Sequence, residues 1–320
     1  MSEIRPGLHR YVAPLGERFV ALYLFIGTDA ALLFDTGVRD SVTGTLLPAL
    51  AADGIDPSSI RWAINSHCDF DHTGGNGALR DAIPGVTLLA HGLDRALTED
   101  VELLIAERYG EFAAVDGFDD PPATTAAVRA DSDLVALDGE LRGGEEFDLG
   151  GRSVRVVHVP GHSPGHLALW DEHNKALAIS DAVLGRTVPT ASGAPAFPPT
   201  YRDTDDYLQT IAKVRGFDAD LLLTAHYPVY EGKAVAEFLD DSEHYVAEVD
   251  GAILAALDTA AEPASTLTVI RAAGAALGPW AAAALDYSIF PVTGNLERLR
   301  DRGIVRELMR DGRRHWELAR

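Results

Sequence analysis

The chain has 320 residues, 47% hydrophobic and 24% charged, a globular composition with length enough for one large unit and a small one. Its 49 acids and 27 bases leave a formal charge of −22, a surface that repels phosphate backbones and anionic membranes and disfavours nucleic-acid partners. A single cysteine, Cys68, excludes an internal disulfide and a thiolate metal cluster, and no apolar run approaches the roughly 20 residues that span a bilayer.

Met1 to Pro6 lacks the basic-then-apolar order of a signal peptide, so a cytoplasmic protein is expected. Phe19–Ile26 and Ala30–Phe34 are strand-length apolar runs separated by the turn signal Gly27-Thr28-Asp29. Ser41–Ala52 carries Leu46, Leu47 and Leu50 at helical spacing and stops at Asp53-Gly54. Ile60–Asn65 is a short strand that runs into Ser66-His67-Cys68-Asp69-Phe70-Asp71-His72, and Val86–Ala90 is another, followed by a helix through Leu93, Leu97, Leu103 and Leu104.

Asp116–Asp138 reads as an exposed excursion. Strands resume at Val154–Val159, Leu167–Trp170 and Ala176–Ile179. Arg186–Tyr201, proline-rich and without periodicity, reads as a long loop of the kind that forms lids or binding walls. Leu221–Thr224 is the last strand before Ala225-His226-Tyr227-Pro228. From about residue 240 alanine-rich helices take over, so residues 1–240 and 241–320 are expected to form a catalytic and a C-terminal domain. Asn295–Arg302 is an amphipathic helix, and Ile304–Met309 and His315–Leu318 flank the hairpin signal Asp311-Gly312, a winged-helix-like order.

Chemistry concentrates at strand ends. His67, Asp69 and Asp71 alternate on a loop leaving a strand and can converge, while His72 breaks the alternation and can reach a second ion. Imidazole and carboxylate suit Zn²⁺, Fe or Mn²⁺. A lone cluster of this kind is also what a polar, helix-capping loop would show. However, Pro160-Gly161-His162-Ser163-Pro164-Gly165-His166, Asp181 and His226 each follow a strand too, where α/β folds place their sites.

In these residues the chain resembles the metallo-β-lactamase superfamily, which includes glyoxalase II, lactonases and arylsulfatase-like hydrolases. The resemblance covers about residues 15–235, follows the order His-x-His-x-Asp-His, His, Asp, His, and implies an αββα sandwich with a small C-terminal helical, winged-helix-like domain. It implies His67, Asp69 and His162 around one ion, Asp71, His72 and His226 around a second, and Asp181 between them. Two divalent ions, zinc foremost, would then supply a bridging hydroxide that attacks the carbonyl of a small ester, thioester or lactone, with Asp71 orienting it.

One position departs from that pattern. Asp69 stands where the family usually has a second histidine, and its added negative charge leans toward Fe or Mn²⁺. His166, Tyr227, Tyr201 and Arg186 are candidate substrate contacts. His91 and His158 read as ordinary structural histidines, and Cys68 should point away from the site.

Rival readings come from other classes. Eight arginines against five acids between Pro291 and Arg320 invite a metal-dependent nuclease or a nucleic-acid-binding tail, though they alternate as a solvated helix face would. In relatives of this kind the tail packs over the active site or pairs subunits, so a homodimer is a further expectation. A mononuclear iron dioxygenase would lack part of the second ligand group, which is complete here. The expected partner is a small acyl substrate, without membrane or nucleic acid.

Overall fold

The computed structural model describes residues 2–319. Its first sheet runs in chain order through β1 (Glu3–Arg5), β2 (Leu8–Leu15), β3 (Arg18–Ile26), β4 (Ala31–Phe34), β5 (Ile60–Ile64), β6 (Thr87–His91) and β7 (Gly139–Leu141). β1 to β4 are antiparallel, and β4 to β7 are parallel. Each parallel step needs a crossover, and short helices between Val42 and Asp53 and between Phe70 and Ala82 supply the first two.

The second sheet is built from β8 (Glu146–Asp148), β9 (Ser153–His158), β10 (Leu167–Asp171) and β11 (Ala176–Ser180), which lie side by side. β12 (Val188–Pro189) and β13 (Pro195–Phe197) form a separate ribbon within the expected long loop. β14 (Leu221–Thr224) then pairs parallel to β11, and β15 (Tyr230–Glu231) closes that edge. β4, β11 and β14 are buried along their whole length, which is why they read as unbroken apolar runs.

The two sheets bury a common core, with Phe25, Leu32, Phe34 and Ile64 from one side and Val156, Leu167, Leu169 and Leu223 from the other. Val42, Leu46, Leu50 and Leu79 cover the outer face of the first sheet. The helices Thr204–Arg215 and Lys233–Thr259 cover the second. This is the αββα sandwich expected from the sequence.

Three segments differ from their sequence reading. β1 and β2 extend the first sheet beyond the expected strands. The excursion after Asp116 contains the helix Pro122–Ala130, whose Val128 is buried. The helix read as starting at Asn295 begins at Ile289, with Pro291 in its first turn, where a missing N–H costs no intrahelical bond. Helix, strand (β17, Val305–Arg310), tight turn and strand (β18, Arg313–Leu318) follow as read, with β18 also pairing to β16 (Ala264–Ser265).

Residue 240, the expected division, falls inside the 27-residue helix Lys233–Thr259. One core joins the outer face of the second sheet (Leu177, Ile179, Leu222) to Val246, Val249, Ile270, Leu296 and Trp316. The C-terminal segment therefore packs continuously onto the sandwich.

Candidate metal centre

Every candidate ligand leaves the C-terminal end of a strand. β5 delivers Ser66 and His67, after which the short helix Phe70–Thr73 carries Asp71 and His72. Asp69 occupies the position before that helix but makes no capping hydrogen bond, so its carboxylate is free to turn inward. β9 leads to Gly161 at φ 125°, where a Cβ would lie 2.5 Å from the Tyr207 backbone, and so only glycine lets the chain present His162. β11 ends at Ser180 and Asp181, and β14 at Ala225 and His226.

These side chains meet in one buried centre. Asp69 Oδ2 lies 3.3 Å from His67 Nε2 and 3.0 Å from His162 Nε2. His226 Nε2 lies 3.4 Å from Asp71 Oδ2 and 3.2 Å from Asp181 Oδ2, and His72 Nε2 lies 3.8 and 3.7 Å from the same two carboxylates. Three groupings have ligand atoms within 4.8 Å of one another: His67, Asp69 and His162; Asp71, His72 and His226; and His67, His72 and Asp181.

The donor set fits divalent cations. Nε2 of His67, Nε2 of His72 and Oδ1 of Asp181 are buried without a hydrogen-bond partner among the described residues. Each such orphan costs about 1–3 kcal/mol unless something binds it. The charge is also unbalanced. Burial would strip the proton from His72, yet Asp71, Asp35 and Asp181 hold its pKa well above the usual imidazole range. His226 is raised in the same way, against burial, by Asp181 and Asp71. Burial would push the Asp181 carboxyl up, but His226 and His72 hold it well below the usual carboxylate range. A cluster that draws protons onto two buried imidazoles offers the surplus negative charge that a metal ion satisfies.

The imidazoles are anchored from behind. His67 Nδ1 meets Ser66 Oγ at 2.9 Å, His72 Nδ1 meets Asp35 at 2.9 Å, and His226 Nδ1 donates to the Phe19 carbonyl at 2.7 Å. Such partners fix ring orientation and tautomer. Above the centre opens a cleft of about 200 Å³, lined by Asp69, Asp71, Asp181 and His226 on its floor and by Phe70, Val188, Phe197, Tyr287 and Phe290 on its walls.

The sequence between residues 15 and 226, more than half of the chain, matches the model of the Metallo-beta-lactamase superfamily. The chain belongs to this superfamily. Among curated members, the hydroxyacylglutathione hydrolase of Methylococcus capsulatus is 30% identical over 147 residues, 46% of this chain and 42% of that protein. The N-acyl homoserine lactonase of Bacillus thuringiensis is 25% identical over 179 residues, 49% of this chain and 60% of that one. The chain thus spans about two fifths to three fifths of the length of these relatives. Along its full length it is similar in fold to a metallo-beta-lactamase family protein of Thermus thermophilus, with TM-score 0.77 and 21% identity, covering 99% of this chain and 100% of that one. A beta-lactamase domain protein of Burkholderia ambifaria gives TM-score 0.74 and 19% identity, covering 99% and 93%.

Against this superfamily pattern, the expected ligands His67, Asp69, Asp71, His72, His162, Asp181 and His226 all come together. The expected substrate contacts do not. His166 is buried behind the ligands, stacked on His67 at 4.6 Å with Nδ1 on the Leu167 carbonyl, and does not line the cleft. Tyr201 is fully buried, stacked on Tyr207 and donating to Asn295 at 3.1 Å. Tyr227 packs on Phe238 and accepts from the Gly185 amide at 2.9 Å. Arg186 faces outward, paired with Glu248 and Asp241. Adjacency to a ligand or a loop placed these four in the sequence reading, but the two tyrosines and Arg186 spend their polar groups inside the fold or at the surface, and His166, whose Nε2 has no hydrogen-bond partner among the described residues, lies outside the cleft lining.

Several residues of the site carried no local signal. Arg108 is buried and donates from Nε to Asp69 Oδ1 at 3.1 Å. Asp35 gathers the Ser66 amide (2.7 Å), the Ser66 and Ser180 hydroxyls and His72. Asp94 holds the loop that carries His162, accepting from Ser163 Oγ at 2.5 Å and the Gly165 amide at 2.7 Å. The excursion after Asp116 supplies Asp120, Thr124, Ala127 and Val128 to the cleft wall, so it is part of the site as well as of the surface. His91 and His158 stack on each other at 4.4 Å, outside the cleft, as structural histidines do. Cys68 is buried, with its thiol pKa raised by burial, and takes no part in the cleft.

Proposed function

We propose that this protein is a metal-dependent hydrolase acting on a small ester, thioester or lactone with an apolar acyl group. The supporting observation is that the unpartnered, buried nitrogens of His67 and His72 cluster with Asp69, Asp71, Asp181 and His226, which line an apolar cleft. His67, Asp69 and His162 would hold one ion, Asp71, His72 and His226 a second, with Asp181 shared. Two bound divalent ions, zinc foremost with iron or manganese as alternatives, would supply Lewis acidity and a nucleophile from water at neutral pH.

The protein's own groups do the rest. Phe70, Val188, Phe197 and Phe290 seat the acyl group and exclude bulk water, which strengthens the electrostatics of the floor. Asp71 reaches the cleft and can orient the attacking water as well as bind metal. Hydrolysis adds that water to the carbonyl carbon, breaks the C–O or C–S bond and releases a carboxylate with an alcohol or thiol. The relatives named for hydroxyacylglutathione and homoserine lactone cleavage favour this class of bond.

The nuclease reading loses its main support. Arg298, Arg300, Arg302, Arg306, Arg310 and Arg314 are all committed to ion pairs with acids of the same chain, and Arg313 donates to the carbonyls of Ala113 and Ala114. Little basic charge is left free to track a phosphate backbone. Among the described residues no helix is long and apolar enough to cross a membrane.

A panel of esters, thioesters and lactones tests the proposal on metal-loaded protein. The wild type should cleave at least one class, and Asp71→Asn should lower kcat by about a hundredfold or more. Cleavage of phosphodiesters alone would contradict it.

A further inference from the structure

The two halves of the centre carry different charge. In the half made by His67, Asp69 and His162, the Asp69 carboxylate is already paired. Arg108 Nε bonds its Oδ1 at 3.1 Å, and Arg108 Nη2 lies 3.4 Å from both Asp69 Oδ2 and His162 Nε2. The Arg108 side chain is only 6% exposed and its guanidinium lies against the Phe290 ring at 5.1 Å, so it is weakly screened and fixed in place. Behind the other two ligands stand a serine hydroxyl, on His67, and no partner among the described residues, on His162 Nδ1.

The half made by Asp71, His72 and His226 is the reverse. Asp71 faces the ligand position, and Asp35 lies behind His72 at 2.9 Å. Among the described residues no lysine or arginine forms an ion pair with Asp35, Asp71 or Asp181. Asp181 is shared between the halves and does not distinguish them.

We propose that Arg108 makes the two metal positions unequal: the His67–Asp69–His162 half holds its ion weakly, and the Asp71–His72–His226 half holds its ion tightly. This rests on the reading that the centre binds divalent cations. Arg108 is a positioning residue acting through Asp69. It bonds Oδ1 closely and reaches Oδ2, the oxygen facing His67 and His162, only at 3.4 Å, cancels the charge that replaced a neutral imidazole and stands as a fixed cation beside an incoming one. A carboxylate behind a ligating imidazole raises its basicity, and only the second half has one in Asp35. Charge and ligand support thus favour the same half.

The test uses the full chain, loaded with excess zinc and dialysed against buffers of graded free zinc, with bound metal read by elemental analysis. The wild type should lose zinc in two steps of one equivalent each, separated by about tenfold or more in free zinc. Arg108→Met should move the weaker step toward the stronger, while Arg108→Lys, which keeps the charge, should leave them apart. Loss of both equivalents in one step from the wild type would overturn the proposal. So would an Arg108→Met protein that gives up its first zinc more readily than the wild type. The wild-type result stands even where a variant fails to fold. Zinc retained at neither position, with no rise in thermal stability on adding it, would overturn the metal reading itself.

Discussion

The Asp35 carboxylate lies 2.9 Å from His72 Nδ1, on a residue held at φ 64° directly after β4. That conformation is uncommon outside glycine but is tolerated by aspartate and asparagine. The same carboxylate collects the Ser66 amide and two serine hydroxyls, so one buried group fixes both the β5 exit and the imidazole. Asp35→Asn keeps the backbone and removes the charge. It should weaken zinc binding by about 10- to 100-fold in competition with a chromophoric chelator, with little change in far-ultraviolet circular dichroism.

Tyr201 provides the converse. Its hydroxyl donates to Asn295, which also bonds the Val246 carbonyl, so this tyrosine ties the C-terminal segment to the sandwich. Tyr201→Phe should lower stability by about 1 kcal/mol in urea denaturation and leave KM and kcat unchanged. A raised KM at unchanged stability would restore the substrate contact expected from sequence.

Ending the chain at residue 240 cuts the helix Lys233–Thr259 and strips Val246, Val249 and Ile253 from the outer core. It also removes Tyr287 and Phe290 from the cleft and uncovers Arg108. Such a fragment should lack a cooperative thermal transition. A sharp transition near that of the full chain would mean that the N-terminal portion folds alone.

Acid sensitivity should have a source away from the candidate metal centre. Burial would raise the Glu297 carboxyl, but Arg202 and Arg314 hold its pKa below the usual 4.5. A group depressed on folding contributes stability that is full above its unfolded value and is lost as pH falls through the folded one. Glu297→Gln should therefore destabilise the protein near neutrality and flatten the decline below about pH 4.5, as read by thermal melts across pH. Parallel pH curves for both proteins would contradict this.

The candidate ligands were legible as a cluster because each follows a strand whose apolar run can be read locally, and because the histidines and aspartates between His67 and His72 sit on one continuous stretch. Arg108 and Asp35 were not, since their partners lie 39 and 37 residues away and only the folded chain brings them together. Asp35-Thr36-Gly37 could be read only as the end of a strand. β2 is hard to read because His9, Arg10 and Pro14 interrupt its apolar run, although the burial alternation from Tyr11 to Leu15 is that of a half-buried strand. Tyr201 and Tyr227 misled for a physical reason: a buried tyrosine and a cleft tyrosine look the same in sequence, and only the destination of the hydroxyl separates them.

The central proposal is that these side chains form one centre for two ions. Equilibrium dialysis against saturating zinc, followed by elemental analysis, tests it most directly on the wild type and on His226→Ala. About two equivalents per chain in the wild type, falling to about one in the variant with loss of hydrolysis, is the predicted result. No bound zinc in the wild type, or a stoichiometry that His226→Ala leaves unchanged, would contradict the account.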